Sequence, residues 1–389
     1  MHDITRNKLL VVTYMLTLLF ALHYGIPLYA SSSYLHEYFD SSIVSILYLF
    51  GSIGSIIAGF SVADKIKKFH TYQFTFGLTV AEILVTIGFA LTHNIYLLGI
   101  LFIAHFIFQG LLYVCLNVMI ESFSNFANTG SIRGLFLALF NTATLISPLI
   151  GGTIISHTSF QALYITSGVM LLPFLFFLHK YLSHIKDPAY HKIDAIQSLK
   201  LAWTNKNLRA ALVGSFIVNC FYAVMVIYSP IYLETIGIPL STYLTFILPI
   251  ALIPLVILPY ELGYLSDNRF GEKELLIGGL LILAITTFLC VMITSTLPLI
   301  WILVLTFSRV GAACVETMTF SYYFKKIGPE DASLTALFSI SQVAGTATIG
   351  AVGFLVAPLI VERPQLIFVL FGCSILASIY YVFPMKDTL

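Results

Sequence analysis

The sequence predicts an all-α polytopic membrane protein with twelve transmembrane helices, arranged as two halves of six. Of its 389 residues, 59% are hydrophobic and 10% are charged. A soluble globular chain carries about 25% charge, so this chain has too little charge to cover a water-facing surface. Two further observations support the prediction. Apolar runs long enough to cross a bilayer recur along the whole chain, and the positive charges fall almost entirely on one side of them.

Twelve apolar runs, separated by short polar segments or by Gly and Pro, form the predicted spans. A bilayer core about 30 Å thick needs roughly 20 apolar residues in a helix. The first run follows Arg6 and Lys8 and has no small-residue cleavage site, so we expect it to remain as a helix. The predicted spans are 9–29, 41–63, 71–92, 95–121, 132–156, 160–182, 209–233, 240–264, 274–294, 297–322, 333–358 and 364–384.

Lysine and arginine positions predict the orientation of these spans. With the N-terminus inside, every cation falls in an internal segment except Arg363, in an external loop, and Arg309, within span ten. Cationic loops resist translocation, so we expect both termini to be cytoplasmic.

The net charge of +1 excludes a polybasic nucleic-acid binder. Five scattered cysteines without a CxxC pair fit neither a disulfide framework nor a zinc site, and we expect no bound metal.

The loop of about 183–208 divides the chain into two predicted six-helix bundles, 1–182 and 209–389. Within this loop Ile193, Ile196, Leu199 and Trp203 recur at helical spacing, with lysines between them. This pattern is compatible with a short amphipathic helix on the inner leaflet. A solvated cytoplasmic linker is equally compatible with it.

The two halves repeat a loop pattern after spans two and eight. The first loop has Asp64, Lys65 and Lys68, with Lys67 in place of a second glycine. The second loop has Gly263, Leu265, Asp267, Arg269 and Gly271. With these loops at equivalent positions of a 6+6 chain, the whole sequence resembles the major facilitator superfamily of secondary transporters. The resemblance implies a pseudo-symmetric fold, a small-molecule substrate, no cofactor, a monomer and a place in the plasma membrane.

The resemblance also implies a latch that closes the cytoplasmic side of the two halves through Asp64. Glu121, near the cytoplasmic end of span four, is the natural partner for Lys65 or Lys68. Cations that only set the topology would explain the lysines but not the two aspartates. We therefore expect a gate or latch built from Asp64, Lys65, Lys68, Glu121, Gly263, Asp267, Arg269 and Gly271.

Ionisable residues inside spans are costly and mark candidate functional sites. Arg309 and Glu316 are seven residues apart in span ten, which places both on one helix face about 10 Å apart. A substrate, a proton or a third residue could lie between them. Arg309 could bind an anionic group bidentately, and Glu316 could titrate during transport. The alternative is a structural pair that stabilises the bundle.

Glu82 and His105 lie about halfway along spans three and four, so adjacent antiparallel helices could bring them together. A carboxylate–imidazole pair is suited to carrying a proton. A buried hydrogen bond between helices explains the pair equally well. Gln109 and Gly110 match the end of the R-x-x-Q-G motif of proton-coupled superfamily members, with Phe106 in place of the arginine. Further predicted contacts for the substrate or proton are His23, Asn141, Asn219, Tyr222 and Gln342.

These features together predict a secondary transporter that uses alternating access. The leading hypothesis is a proton-driven exporter, or antiporter, of small organic compounds, with Glu316 or Glu82 as the titrating group. The alternative is an uptake symporter or facilitator for a metabolite, with Arg309 as the site for an anionic one. The sequence lacks the HExxH, GxSxG and Walker motifs, so we do not expect an enzyme.

Overall fold

A computed structural model describes residues 2–122, 129–183, 195–327, 332–357 and 365–386, together with 359 and 363. Its helices in the first half of the chain correspond to the first six predicted spans. They are α1 (His2–Leu28), α2 (Ser31–His36), α3 (Ser41–Phe60), α4 (Val62–Phe69), α5 (Thr71–Leu91), α6 (Ile95–Ser122), α7 (Thr129–His157), α8 (Phe160–Val169) and α9 (Leu171–Leu182). Span six is divided between α8 and α9, which together cover 160–182 with one residue between them.

The second half of the chain supplies the other six spans. Its helices are α10 (Ala195–Thr204), α11 (Lys206–Thr235), α12 (Leu240–Thr242), α13 (Leu248–Leu265), α14 (Gly271–Met292), α15 (Pro298–Lys326), α16 (Ala332–Leu355) and α17 (Leu366–Val382). A π-helical turn, Tyr243–Ile247, joins α12 to α13 within span eight, and a second one, Ser266–Phe270, leads into α14.

The predicted all-α membrane fold with twelve spans is confirmed. In the described parts of the chain, eleven helices are long and apolar enough to cross a membrane, and the seventeen-residue α17 supplies the twelfth span. Short polar side chains begin several helices by accepting backbone hydrogen bonds. Asp40 caps α3, Asn94 caps α6 and Asn205 caps α11.

The helix α10 occupies part of the predicted linker, so the helical alternative holds for Ala195–Thr204. Trp203 is exposed, and the guanidinium of Arg209 lies over its ring and over that of Tyr381. Contact with the inner leaflet stays a prediction.

Two compact units divide the described chain. The first consists of Met1–Tyr34 and Phe50–Lys192, and the second of Leu35–Leu49 and Ile193–Leu389. In the first unit, glycines let α1 and α7 approach closely. A Cβ atom on Gly151 would lie 2.6 Å from the carbonyl oxygen of Ile26, and one on Gly25 would lie 2.5 Å from the hydroxyl of Ser147. Close packing of small residues is a usual basis of helix association in membranes.

In the second unit, α14 and α15 pack at a similar glycine contact. A Cβ on Gly311 would lie 2.9 Å from the carbonyl oxygen of Gly279. The segment 35–49 packs within this unit as well, because glycines of α16 leave room for the start of α3. A Cβ on Gly350 would lie 2.8 Å from the backbone nitrogen of Leu49, and the hydroxyls of Ser45 and Tyr228 are 2.7 Å apart.

Both loops of the predicted repeat turn through a residue with positive φ just before or at the start of the next span. His70 has φ 63° before α5, and Gly271 has φ 72° at the start of α14. The two loops thus share one backbone conformation. This conformation also corrects one detail: the residue that corresponds to the second glycine in conformation is His70, not Lys67.

Candidate functional site

Three ionisable side chains from three spans meet in the core of the first unit. Nδ1 of His105 in α6 lies 2.6 Å from Oε1 of Glu82 in α5, and Nε2 of His23 in α1 lies 2.9 Å from the same oxygen. His23 and Glu82 are fully buried, and His105 is 3% exposed. The contact that equal depth predicts for Glu82 and His105 is therefore present, and His23 joins it.

Polar neighbours fix the orientation of both imidazoles in this cluster, which we call the His–Glu–His cluster. Ser167 in α8 faces Nδ1 of His23 with its backbone carbonyl at 3.0 Å and its hydroxyl at 2.9 Å. The amide nitrogen of Gln109 lies 3.1 Å from Nε2 of His105. Thr86 lies 3.3 Å from Oε1 of Glu82 and 3.2 Å from Nδ1 of His105. The predicted candidate Gln109 thus lies next to the cluster.

The contacts of Ser167 with His23 fit a proton on Nδ1 of the imidazole. A carbonyl oxygen only accepts, so the backbone oxygen of Ser167 requires a donor at Nδ1. The hydroxyl of Ser167 donates to the carbonyl oxygen of His23 at 2.8 Å, so this hydroxyl also accepts from Nδ1. The other nitrogen, Nε2, is left to face Glu82.

The two contacts of the imidazoles with Glu82 need one proton each. A nitrogen lone pair and a carboxylate oxygen repel at hydrogen-bond distance, so one proton lies between His23 and Glu82 and another between His105 and Glu82. Two neutral imidazoles hold only one N–H proton each. With a proton in each of the two contacts, the cluster would hold one proton more than two neutral imidazoles and a carboxylate and would carry no net charge. Loss of this proton would leave an uncompensated charge in an apolar core, which is costly.

Aromatic rings enclose the cluster. The centroid of Phe89 lies 6.4 Å from that of His105 in a stacked arrangement, and Tyr164 meets His105 edge-on at 6.1 Å. The hydroxyl of Tyr164 donates to Ser31 and so is directed elsewhere. This surrounding keeps the proton of the cluster away from water within the described first unit.

The three side chains also satisfy the distance criterion for one metal ion, since one ligand atom from each lies within 4.8 Å of the others. A metal ion would need the lone pairs of Nε2 and Nδ1 to be free. The same nitrogens lie at hydrogen-bond distance from Oε1 of Glu82, which is the arrangement needed to share protons. That no metal binds here stays a prediction.

Arg309 occupies the core of the second unit. Its side chain is fully buried, and its guanidinium lies 4.9 Å from the ring centroid of Phe221 in α11. None of its three nitrogens has a hydrogen-bond partner among the described residues. Glu316, two turns further along α15, is exposed instead and accepts a 2.6 Å hydrogen bond from Tyr222. The two charges that share a predicted face thus have different environments and no direct contact.

The other predicted polar candidates are scattered. The side-chain amide of Asn219 donates to the carbonyl oxygen of Ser215 within α11. Asn141 in α7 is exposed, and Gln342 in α16 is half-buried. These residues stay candidates for substrate contact.

The structure describes only part of the predicted latch. The side chains of Asp64, Glu121 and Asp267 lie outside the described residues. Lys65, Lys68 and Arg269 are exposed. A Cβ on Gly263 would meet no described atom within 4 Å, and the role of Gly263 in the latch stays a prediction. The positive φ of Gly271 does explain a glycine there.

Two interactions went unnoticed in the sequence. Lys325 forms a 2.6 Å ion pair with Glu272, which is fully buried at the start of α14. The serine–tyrosine contact of Ser45 with Tyr228 joins residues 183 positions apart. The sequence hints at the pair of Lys325 with Glu272, because α14 has acids in its first turn and α15 has two lysines in its last turn. No pattern in the sequence signals the contact of Ser45 with Tyr228.

Comparison with known proteins identifies similar sequences and folds. The sequence profile of the Major Facilitator Superfamily matches residues 11–348. No curated protein matches the sequence.

Solved structures of transporters share the fold at low sequence identity. The nucleoside transporter NupG is 12% identical with a TM-score of 0.77, over 97% of this chain and 98% of that one. The D-xylose-proton symporter is 16% identical with a TM-score of 0.75, over 97% and 98%. The peptide transporter POT is 15% identical with a TM-score of 0.72, over 96% and 93%.

Proposed function

The chain belongs to the Major Facilitator Superfamily of secondary transporters, and we propose that it couples the movement of a small organic solute to protons held by the His–Glu–His cluster. A transporter of this superfamily is not an enzyme, so the buried polar groups serve binding and coupling. The observation that supports the proposal most is the close approach of two imidazole nitrogens, of His23 and His105, to one buried carboxylate oxygen of Glu82.

The position of the cluster suits a coupling role. It lies in the described core of the first unit, joined to α1, α5, α6 and α8 by hydrogen bonds. Protonation changes its net charge between zero and minus one, and a buried charge shifts the balance between arrangements that do and do not admit water. Oε2 of Glu82 has no described hydrogen-bond partner, so it is available to receive or release a proton when the core opens.

The proposed setting is a plasma membrane with both termini on the cytoplasmic side, because the cations lie almost entirely in the segments predicted to be internal. Two six-helix bundles, 1–182 and 209–389, would alternate access to a central site as monomers. The latch at Asp64 and its partners is part of the same proposal.

Export in exchange for protons is the direction predicted from the sequence. The Ser147-Pro148 segment with Gly151 and Gly152 favours it weakly, because it resembles the tail of an antiporter motif. The close packing of Gly151 against Ile26 explains the presence of this glycine without any role in antiport. Uptake with protons is the second candidate, and an anionic solute would then bind at Arg309, whose buried nitrogens have no hydrogen-bond partner among the described residues.

Proteoliposomes that contain the full chain and a trapped pH-sensitive dye test the coupling. A nucleoside, a pentose, a dipeptide and a monocarboxylate would be added in turn, with and without an imposed pH gradient. We expect the transported solute to move protons in wild type. In Glu82→Gln, solute exchange should continue while gradient-driven accumulation falls at least tenfold, because the neutral amide cannot take up the coupled proton.

The matched control is Glu37→Gln, which removes an exposed acid outside the cluster. This variant should accumulate solute as wild type does. Full gradient-driven accumulation by Glu82→Gln would contradict the proposal. The sign of the gradient that drives accumulation separates export from uptake.

A further inference from the structure

Arg309 is a cation without a counter-charge in the described core of the second unit. Its guanidinium is fully buried, one face lies against the ring of Phe221, and all of its nitrogens lack hydrogen-bond partners. An aromatic face recovers part of the lost hydration of a cation. It leaves the N–H groups at the edge of the guanidinium unsatisfied, and these are the groups that bind anions.

A comparison of corresponding helices shows that the second unit lacks an acid that the first unit has. His105 is the eleventh residue of α6 and Arg309 the twelfth of α15, so each unit carries a basic group at nearly the same depth of corresponding helices. In the first unit, Glu82 of α5 faces the basic group. The corresponding helix α14 has acids only in its first turn, Glu272 and Glu274, and none from 275 to 292. The second unit lacks the acid that the first unit supplies.

Other described groups near Arg309 do not replace that acid. The carboxylate of Glu316 is exposed and bonded to Tyr222. Cys290 lies within electrostatic range of the guanidinium but makes no hydrogen bond with it, and a thiol is a weak acceptor. The remaining acid of α11, Glu234, is the next-to-last residue of that helix.

From these observations we propose that Arg309 binds the anionic group of the transported solute, which is therefore an organic anion such as a carboxylate. This inference rests on the proposed function, since it names the substrate class of that transporter. A guanidinium presents a planar fork of donors that matches a carboxylate bidentately, and Phe221 holds the plane of that fork. Because Arg309 is enclosed, the anion reaches it only when its packing in the second unit opens, which links binding to the conformational change.

Thermal unfolding of the purified full chain in detergent at constant pH tests this inference. A thiol-reactive dye reports unfolding through the four buried cysteines, 115, 220, 290 and 314, while exposed Cys373 supplies a constant baseline. Benzoate, lactate and succinate would each be compared with the corresponding uncharged amide. Sodium chloride and sodium sulfate at equal ionic strength complete the set. The variants are Arg309→Met, Arg309→Lys and, as a control, Arg209→Gln.

We expect at least one carboxylate to raise the unfolding temperature of wild type by about 5 °C at one hundred times its Kd, and its amide to have no effect. The shift should disappear in Arg309→Met, shrink in Arg309→Lys and persist in Arg209→Gln. Without ligand, Arg309→Met should unfold at a higher temperature than wild type, because the change removes an uncompensated buried charge.

Three results would overturn the inference. The first is a lower unfolding temperature of ligand-free Arg309→Met, which would give Arg309 a structural role. The second is the absence of any carboxylate shift that depends on Arg309. The third is a full shift with chloride or sulfate alone. Because no pH gradient is used, these results are independent of the proton-coupling test: loss of coupling in Glu82→Gln leaves the anion shift intact, and failure here leaves proton coupling standing.

Discussion

The imidazole of His105 and the carboxylate of Glu82 meet at 2.6 Å between two helices, with both side chains buried. Glu82→Leu removes the acceptor for both His105 and His23, and it leaves their protons unpaired in the core. We expect a loss of about 3–5 kcal/mol in the free energy of unfolding, the range for breaking a buried ion pair. Glu82→Gln keeps a polar group in place and should cost about 1–3 kcal/mol.

Thermal unfolding of both variants measures this difference. The double variant His23→Leu with Glu82→Leu should recover part of the loss, since it also removes an imidazole that has lost its partner. Equal unfolding temperatures for wild type and Glu82→Leu would show that the cluster contributes no stability.

Metal removal should not affect transport if the His–Glu–His cluster carries a proton. The contacts of His23 and His105 with Glu82 are satisfied by protons, so no ion is needed to hold them together. Transport in proteoliposomes prepared and assayed in EDTA should match transport without chelator at the same pH. Loss of activity in EDTA and its return with zinc would assign the cluster to a metal instead.

Substitutions at the two positive-φ positions of the repeated loops should change the unfolding temperature in opposite directions. His70 and Gly271 share this conformation, which costs a side-chain-bearing residue about 1–3 kcal/mol and glycine almost nothing. His70→Gly should therefore raise the unfolding temperature, and Gly271→Ala should lower it. Gly278→Ala is the control, because a Cβ there meets no described atom within 4 Å and alanine favours a helix interior. Destabilisation by His70→Gly would contradict the assigned strain.

Hydrophobicity was sufficient to predict the spans, because the bilayer imposes a length on each one. The start of α11 is predicted at 209 and observed at Lys206, since Asn205 caps the helix one turn earlier. The contact of Glu82 with His105 was also predictable from equal depth in neighbouring helices. The involvement of His23 and Ser167 was not, because it depends on how α1 and α8 are rotated, which the nearly uniform apolar sequence of the spans leaves undefined.

The Ser45–Tyr228 contact could not be predicted from the sequence. It allows a disulfide within the second unit to test whether the start of α3 separates from α16 during transport. A Cβ on Gly353 would overlap the hydroxyl of Tyr228 and lie 2.8 Å from Oγ of Ser45. Cysteines at 45 and 353 should therefore form a disulfide if Tyr228 is first shortened to alanine, since a Cβ-to-sulfur separation near 3 Å fits the bond. The background would lack exposed Cys373.

We expect the Ser45→Cys, Gly353→Cys, Tyr228→Ala variant to lose most transport when oxidised and to recover it in dithiothreitol. The reason is that alternating access needs the first part of α3 to leave α16 in one half of the cycle. Tyr228→Ala alone is the matched control, and it should be insensitive to oxidant. Unchanged transport with the disulfide fully formed would mean that the segment 35–49 stays on α16 throughout the cycle, and that access alternates elsewhere.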